Sequence, residues 1–423
     1  MPTALFQPDP PPPPGPDDVE RWRRADIVAR PRRLARLRER LVGEHVDAYL
    51  GLSRENSRYL TGFVLDDGEE KVAGDSGRFI VSGDEVVVLA DTRYREQAEE
   101  ECPDARIEES YYDLPARWGR LVGSLGAVGD GGTRGHPGGR SGSGSVRRVA
   151  VEASYASHAL WTALRAAAPG IELVAADGWV EEQRAVKEPS EIERVRAACG
   201  VADAALTRLV GDIRIGTTER ELALRLEWDM RTHGAEALAF DVACLSGPRA
   251  ALPHGSPGER RIGSGEVLLF DFGAQVAGYR SDMTRTLLVG EPNARDMALH
   301  ALVAAAQEDV FAELARASIT GVVPGARSLD GVARKVIDVA GHGPHFGHGL
   351  GHGIGLATHE LPRLSSRGPD DPLPAPSVFS VEPGVYLPGE TGVRIEDLVA
   401  FDPATRRSER LTRFTREVTV VGE

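Results

Sequence analysis

Apolar positions follow one rhythm in the first part of the chain and another in the second. Before residue 176, short apolar runs at 46–51, 79–81, 85–89, 148–152 and 171–175 read as strands. Segments with helical spacing, such as 30–41 and 94–101, lie between them, and this alternation predicts an α/β domain. From 191 the pattern lengthens. Ile192, Val195, Ala198, Val201, Ala202 and Ala205 form a helical stripe over 191–210. A second helix opens at Thr218, where Glu221 completes a capping box ahead of Leu222, Leu224 and Leu226, and it stops at Gly234. Helical spacing returns at 294–317 and 329–340, separated by hairpin patterns. The second half is therefore expected to be α+β.

These rhythms divide the 423 residues into two domains. Residues 1–17 are proline-rich and read as a disordered or extended tail. Residues 18–176 form the first domain, with a low-complexity, flexible loop at 129–145 in which His136 reads as a solvated side chain. Residues 177–188 read as a linker, and 189–423 as the second domain.

Composition narrows the function classes. The net charge of −14 argues against a nucleic-acid or anionic-membrane partner. No apolar run approaches the roughly 20 residues a membrane span needs, and the N-terminus lacks the basic and apolar regions of a secretory signal. Cys102, Cys199 and Cys244 are widely spaced, with no CxxC pair. That excludes a disulfide framework or a thiolate zinc site and fits a cytoplasmic location.

The chemistry concentrates in the second half. The stretch 266–286, EVLLFDFGAQVAGYRSDMTRT, reads as two strands turning near Ala277 and Gly278. Asp271 and Asp282 then lie opposite or diagonal, with Cβ atoms about 5 Å or about 7–8 Å apart. On a helix they would be about 16 Å apart. Carboxylates this close repel unless a cation sits between them; the alternative is a pair of solvated hairpin aspartates. Further on, 379–386 (FSVEPGVY) and 392–400 (GVRIEDLVA) set Glu382 and Glu396 among apolar residues. A hairpin centred near Gly389 brings these two opposite each other, and buried carboxylates are costly unless paired or metal-bound.

Residues 345–360, HFGHGLGHGIGLATHE, add His348, His352 and His359. The interleaved glycines oppose a helical HxxxH zinc pair. In an extended chain His348 and His352 lie about 13 Å apart, so one can be a ligand while the other reaches substrate. A glycine-rich surface loop with incidental histidines is the alternative. His254, in LPHG, is weak evidence alone. Two carboxylate-bearing hairpins and one imidazole suit a two-metal site of manganese, iron, cobalt or zinc.

In this order, Asp271, Asp282, His352, Glu382 and Glu396 resemble the five metal ligands of the pita-bread metallopeptidases. HGLGHGIGLATHE resembles the signature of the proline-specific branch, aminopeptidase P and prolidase. VDAYLGLSRENSRYLTGF, VVVLADTRYREQA and VKEPSEIERVRAA are similar to their creatinase-like N-terminal domain and its junction with the catalytic domain. Thr358 departs from the pattern, where an aliphatic β-branched residue is usual. The resemblance implies a two-domain chain: a creatinase/prolidase-like N-terminal domain and a pita-bread catalytic domain. It also implies two divalent ions, with Mn2+ the first expectation and Co2+, Zn2+ or Fe2+ as alternatives, and hydrolysis of Xaa-Pro bonds at peptide N-termini. Glu382 would serve as ligand and base, His254 and His359 would stabilise the oxyanion, His348 would position substrate and Arg394 would support the metal shell. The expected partner is a peptide with proline at its second position, and the expected state a homodimer. The first expectation is aminopeptidase P activity; the alternative is a prolidase cleaving Xaa-Pro dipeptides. A metal hydrolase of another bond, such as a phosphoester, and a non-catalytic binding protein of the same fold are further alternatives.

Overall fold

The computed structural model describes residues 12–66, 68–125 and 146–422. The 129–145 loop with His136 lies outside the described residues, as do the first eleven. The chain divides into two compact units. One is Arg23–Gln183; the other runs from Arg184 onward and includes the described residues up to Trp22.

At two expected boundaries the structure adds detail, and the division between the units at Gln183 and Arg184 falls within the expected linker. Helix α1, Pro16–Gly43, starts inside the segment expected to be a tail and is far longer than 30–41. Proline fits a first helical turn, where its missing N–H would have no intrahelical partner, and Asp17 and Asp18 face the positive end of the helix dipole. Helix formation also continues through Pro31, which forfeits the N–H bond to the Ile27 carbonyl. Trp22 anchors the first turns in the unit that begins at Arg184, donating its indole N–H to Glu193 at 3.0 Å. The expected linker, in turn, contains a short helix, Glu181–Ala185, and two buried cations, Arg184 and Lys187.

The Arg23–Gln183 unit contains β1 (Ala48–Gly51), β2 (Phe79–Ser82), β3 (Val86–Ala90), β4 (Arg106–Glu109), β5 (Arg148–Glu152) and β6 (Glu172–Ala176). Helices α2 (Arg54–Leu60), α3 (Arg95–Glu101), α4 (Leu114–Ser124) and α5 (His158–Ala167) alternate with them, and α6 (Glu181–Ala185) begins at the end of this unit and runs past Gln183. The strands form one mixed sheet in the order β4-β3-β2-β1-β5-β6, around a core that includes Leu50, Ile80, Val87, Trp118 and Val149. This is the expected α/β arrangement.

The second unit contains α7 (Pro189–Val210), α8 (Glu219–Thr232), α9 (Ala294–Thr320) and α10 (Ala326–Val339). Its strands are β7 (Ala237–Leu238), β8 (Ala243–Ser246), β9 (Val267–Phe272), β10 (Ala274–Val276), β11 (Tyr279–Arg280), β12 (Met283–Val289), β13 (Gly351–Gly353), β14 (Glu360–Leu364), β15 (Ser377–Val381), β16 (Gly384–Leu387), β17 (Thr391–Arg394), β18 (Asp397–Asp402), β19 (Arg407–Arg410) and β20 (Val420–Val421). The Thr218–Glu221 capping box forms, with Thr218 N–H on Glu221 at 2.8 Å and Glu221 N–H on Thr218 Oγ1 at 3.1 Å.

Two sheets place the site, β20-β12-β9-β8 and β14-β13-β15-β18-β19. Strand β9 is buried on both faces. Leu268, Phe270 and Phe272 pack with α7 and α8, while Val267 and Leu269 pack with α9 and α10. The period of two puts Asp271 on the α9 side. Along β15 and β18, Phe379, Val381, Val399 and Phe401 enter the same α9/α10 core, so Glu382 and Glu396 project from the opposite face. Among the described residues, no helix is long and apolar enough to cross a membrane.

His300, buried in α9, provides a pH test of this packing. Burial, and secondarily the nearby Arg285 charge, pushes its pKa down from 6.5 to about 4. The folded state therefore binds fewer protons than the unfolded one between those values. His300 supports folding above about pH 6.5, and that support is lost as pH falls toward 4. Each pKa unit is worth about 1.4 kcal/mol, so the loss reaches about 3 kcal/mol. His300→Gln should flatten the fall in Tm between pH 6.5 and 4 relative to wild type; parallel Tm–pH curves would refute this.

Candidate metal centre and active site

The aspartate hairpin forms through a two-residue turn in which Ala277 and Gly278 both adopt positive φ, 48° and 82°. Such turns match the twist of the flanking strands and favour glycine. Asp271 pairs with Thr284 across β9 and β12, which places Asp282 diagonally across from Asp271. The glutamates form the other half of the site. The register pairs Gly384 with Arg394 on one side and Val381 with Asp397 on the other. Continued through the gap, it sets Glu382 directly opposite Glu396.

The histidine stretch supplies the third wall. His352 lies on β13, between β14 and β15. A Cβ on Gly351 would fall 2.1 Å from the Ser380 carbonyl oxygen, and one on Gly353 would fall 2.0 Å from that of Leu361. Only glycine lets the three strands approach this closely. A register shift between His352 and Gly353 aims the imidazole. His352 Nδ1 faces the Gly353 carbonyl at 3.1 Å. A carbonyl only accepts, so Nδ1 carries the proton and Nε2 presents its lone pair. That nitrogen lies 3.7 Å from Asp282 Oδ2 and 3.4 Å from Glu382 Oε1. Donor atoms of Asp282, His352 and Glu396 all fall within 4.8 Å of one another.

Asp271, Asp282, Glu382 and Glu396 line one cavity of about 730 Å³ together with Arg394. Arg394 donates to Asp271, to Thr284 Oγ1 at 2.8 Å and to the Tyr386 hydroxyl at 2.9 Å. Thr284 in turn donates its hydroxyl hydrogen bond to Glu396 Oε2 at 2.8 Å, and Ser380 donates to Glu382 at 3.1 Å. Asp282 Oδ1 and Glu396 Oε1 are buried with no hydrogen-bond partner among the described residues. Burial first, and neighbouring carboxylates second, push Asp282 and Glu396 far above the usual carboxylate range; burial also raises Glu382. Converging acids with orphaned oxygens and one lone-pair imidazole fit hard or borderline divalent cations.

The remaining predicted residues share this cavity. His254 and His359 line it, and the His359 ring lies 4.0 Å from the His352 ring, centroid to centroid. Its partial burial against the cavity wall first, then the His352 and His254 rings, pushes His359 down to about 4, so it is neutral at pH 7. His348 Nδ1 donates to the Gly349 carbonyl at 2.8 Å, and Nε2 therefore accepts from the Tyr386 hydroxyl at 2.9 Å. Burial lowers its pKa as well, consistent with this neutral tautomer.

Sequence reasoning missed two residues. Tyr386 joins Arg394 to His348; its only signal in the sequence was its place in FSVEPGVY, four residues after Glu382. Arg363 pairs with His352 across β13 and β14 and lines the cavity as an exposed cation, with no carboxylate partner among the described residues.

Comparisons with known proteins place the chain by family and fold. Residues 193–403 match metallopeptidase family M24, and residues 33–186 match the creatinase/prolidase N-terminal domain. An Xaa-Pro dipeptidase of Pyrococcus horikoshii is 39% identical over 242 residues, which are 57% of this chain and 66% of that protein. The chain thus spans about two thirds of the length of that relative. The structure of an Xaa-Pro dipeptidase from Bacillus anthracis superposes with a TM-score of 0.77 at 30% identity, covering 92% of this chain and 99% of that one. An X-Pro aminopeptidase structure from Thermotoga maritima gives 0.76 at 33% identity, with coverages of 92% and 99%. A creatinase/prolidase-type N-terminal domain followed by a catalytic domain of pita-bread fold makes this chain a member of metallopeptidase family M24.

Proposed function

We propose that the chain is an Xaa-Pro dipeptidase that uses two divalent ions. The observation that carries the metal reading is the convergence of donor atoms of Asp282, His352 and Glu396 within 4.8 Å of one another, with one oxygen of Asp282 and one of Glu396 buried and without a hydrogen-bond partner among the described residues. Asp271, Asp282, His352, Glu382 and Glu396 would hold the ions, Mn2+ being the first candidate. When bound, such ions supply Lewis acidity that acidifies water and polarises a carbonyl.

The chain's own residues do the rest. Glu382, raised in proton affinity by burial, takes a proton from the attacking water as its oxygen adds to the carbonyl carbon before proline. The prolyl nitrogen carries no hydrogen, so it must be protonated as the C–N bond breaks, and Glu382 returns the proton there. His359, neutral at pH 7, and His254, which lines the same cavity, donate to the developing oxyanion. His348, fixed by Tyr386, packs against the prolyl side of the substrate.

Arg363 favours the dipeptide. A dipeptide ends in a carboxylate one residue after the scissile bond, and an exposed guanidinium across the strand from His352 is a fitting partner for it. The names of the Pyrococcus and Bacillus relatives weigh the same way. The Thermotoga relative keeps aminopeptidase P activity, the first expectation from the sequence, as the second reading. Ala-Pro should be cleaved with higher kcat/KM than Ala-Pro-Ala; the reverse order would establish the second reading. Arg363→Met should raise KM for Ala-Pro by about 10- to 100-fold, the worth of a hydrogen bond to a charged group, with kcat changed little. KM for Ala-Pro amide, which lacks the carboxylate, should not move. An unchanged Ala-Pro KM would remove Arg363 from substrate binding.

A further inference from the structure

His359 is the one residue of the 357–360 segment that is exposed. Its neighbours are tied down on both sides. Thr358 Oγ1 donates to the Ala239 carbonyl at 3.1 Å and lies 3.1 Å from an Arg280 guanidinium nitrogen. Glu360 carries a buried carboxylate. It accepts from the Arg184 guanidinium, from Lys187 Nζ at 3.3 Å and from the Ala357 backbone N–H at 2.8 Å. The three side chains of this ionic cluster are only 4%, 1% and 4% exposed for Arg184, Lys187 and Glu360. Lys187 is itself fixed, donating its ammonium to the Arg184 carbonyl at 2.6 Å and its backbone N–H to that of Pro376 at 2.7 Å.

A buried ion pair is a poor way to gain stability, because desolvating the charges offsets most of their attraction. Two buried cations converging on the residue next to His359 therefore call for another role. Burial alone would raise Glu360, but Arg184 and Lys187 outweigh it and keep the carboxylate ionised. The ionised group in turn fixes the Ala357 backbone, so the loop is closed on both sides of His359.

We propose that Glu360, clamped by Arg184 and Lys187, is a positioning residue that holds His359 in its reactive orientation. This rests on the reading that His359 meets the substrate. The cluster acts by preorganisation: it removes rotational freedom from His359 before substrate arrives.

The test is a double-mutant cycle of Glu360→Gln with His359→Ala, read as kcat and KM on Ala-Pro, with metal content and Tm measured on each variant. Glu360→Gln should lower kcat about 10-fold, the usual cost of losing a residue that orients a functional side chain, with KM within about 2-fold and metal content unchanged. In the His359→Ala background the same change should lower kcat less than about 2-fold. A full 10-fold loss in that background, or an unchanged kcat in the single variant, overturns the positioning role. A silent His359→Ala would instead overturn the role of His359 itself. If Glu360→Gln does not fold, Lys187→Met, which leaves a neutral Arg184–Glu360 pair, takes its place in the cycle with the same expected pattern.

Discussion

Glu382→Gln should lower kcat on Ala-Pro by about 1,000-fold, within the 10²–10⁴ range of a general base. Only Glu382 combines a position opposite Glu396, a 3.4 Å approach to His352 and a raised proton affinity from burial. The same change should leave the metal-free protein as stable as wild type, or more so, because it deletes one of several carboxylates buried together. The two halves of this expectation separate function from folding. Steady-state kinetics with manganese and thermal melts with chelator check them, and a kcat within 10-fold of wild type would contradict the assignment.

Arg285→Met should destabilise the fold by about 3–5 kcal/mol, the cost of stranding a buried charge. Arg285 is 3% exposed and pairs at 2.6 Å with Asp397, which is fully buried. It also donates to the backbone carbonyls of Thr284, Glu396 and Phe414. It thus ties β12 to β18 immediately behind the carboxylates. Gln307 reinforces the arrangement, donating to the carbonyls of Val381 and Ile395, each the residue before a site glutamate. The exposed pair of Arg295 and Glu390 gives the contrast. Glu390→Gln should change stability by less than about 1 kcal/mol, because solvent screens such pairs. Denaturant unfolding of the two variants decides between them; a similar small loss in both would show that the buried network is not needed.

Much of the site was legible because its hairpins are symmetric about strong turns. Ala277–Gly278 and Gly389 mark the turns, and with a period of two the spacing alone places each carboxylate on a shared face. The glycines of 347–355 signalled close strand approach, which the Ser380 and Leu361 carbonyls now explain. What stayed hidden depends on contacts between distant segments. Arg363 faces the cavity from β14, opposite His352 on β13, a pairing between separate segments that no local pattern announces. Arg184 and Lys187 sit in a stretch that reads as a linker, and only tertiary contact with Glu360 reveals them as buried. Helix α1 extends well before the 30–41 segment that sequence spacing marks, and the penalty of about 3 kcal/mol for Pro31 inside it is absorbed by packing along the rest of the helix.

The most direct test is to strip the protein with chelator, titrate Mn2+ back, and follow bound metal per chain together with Ala-Pro hydrolysis. Activity should be absent from the stripped protein and should rise to its full value as occupancy approaches two ions per chain. Full hydrolysis by metal-free protein, or none at two bound ions, would contradict the account.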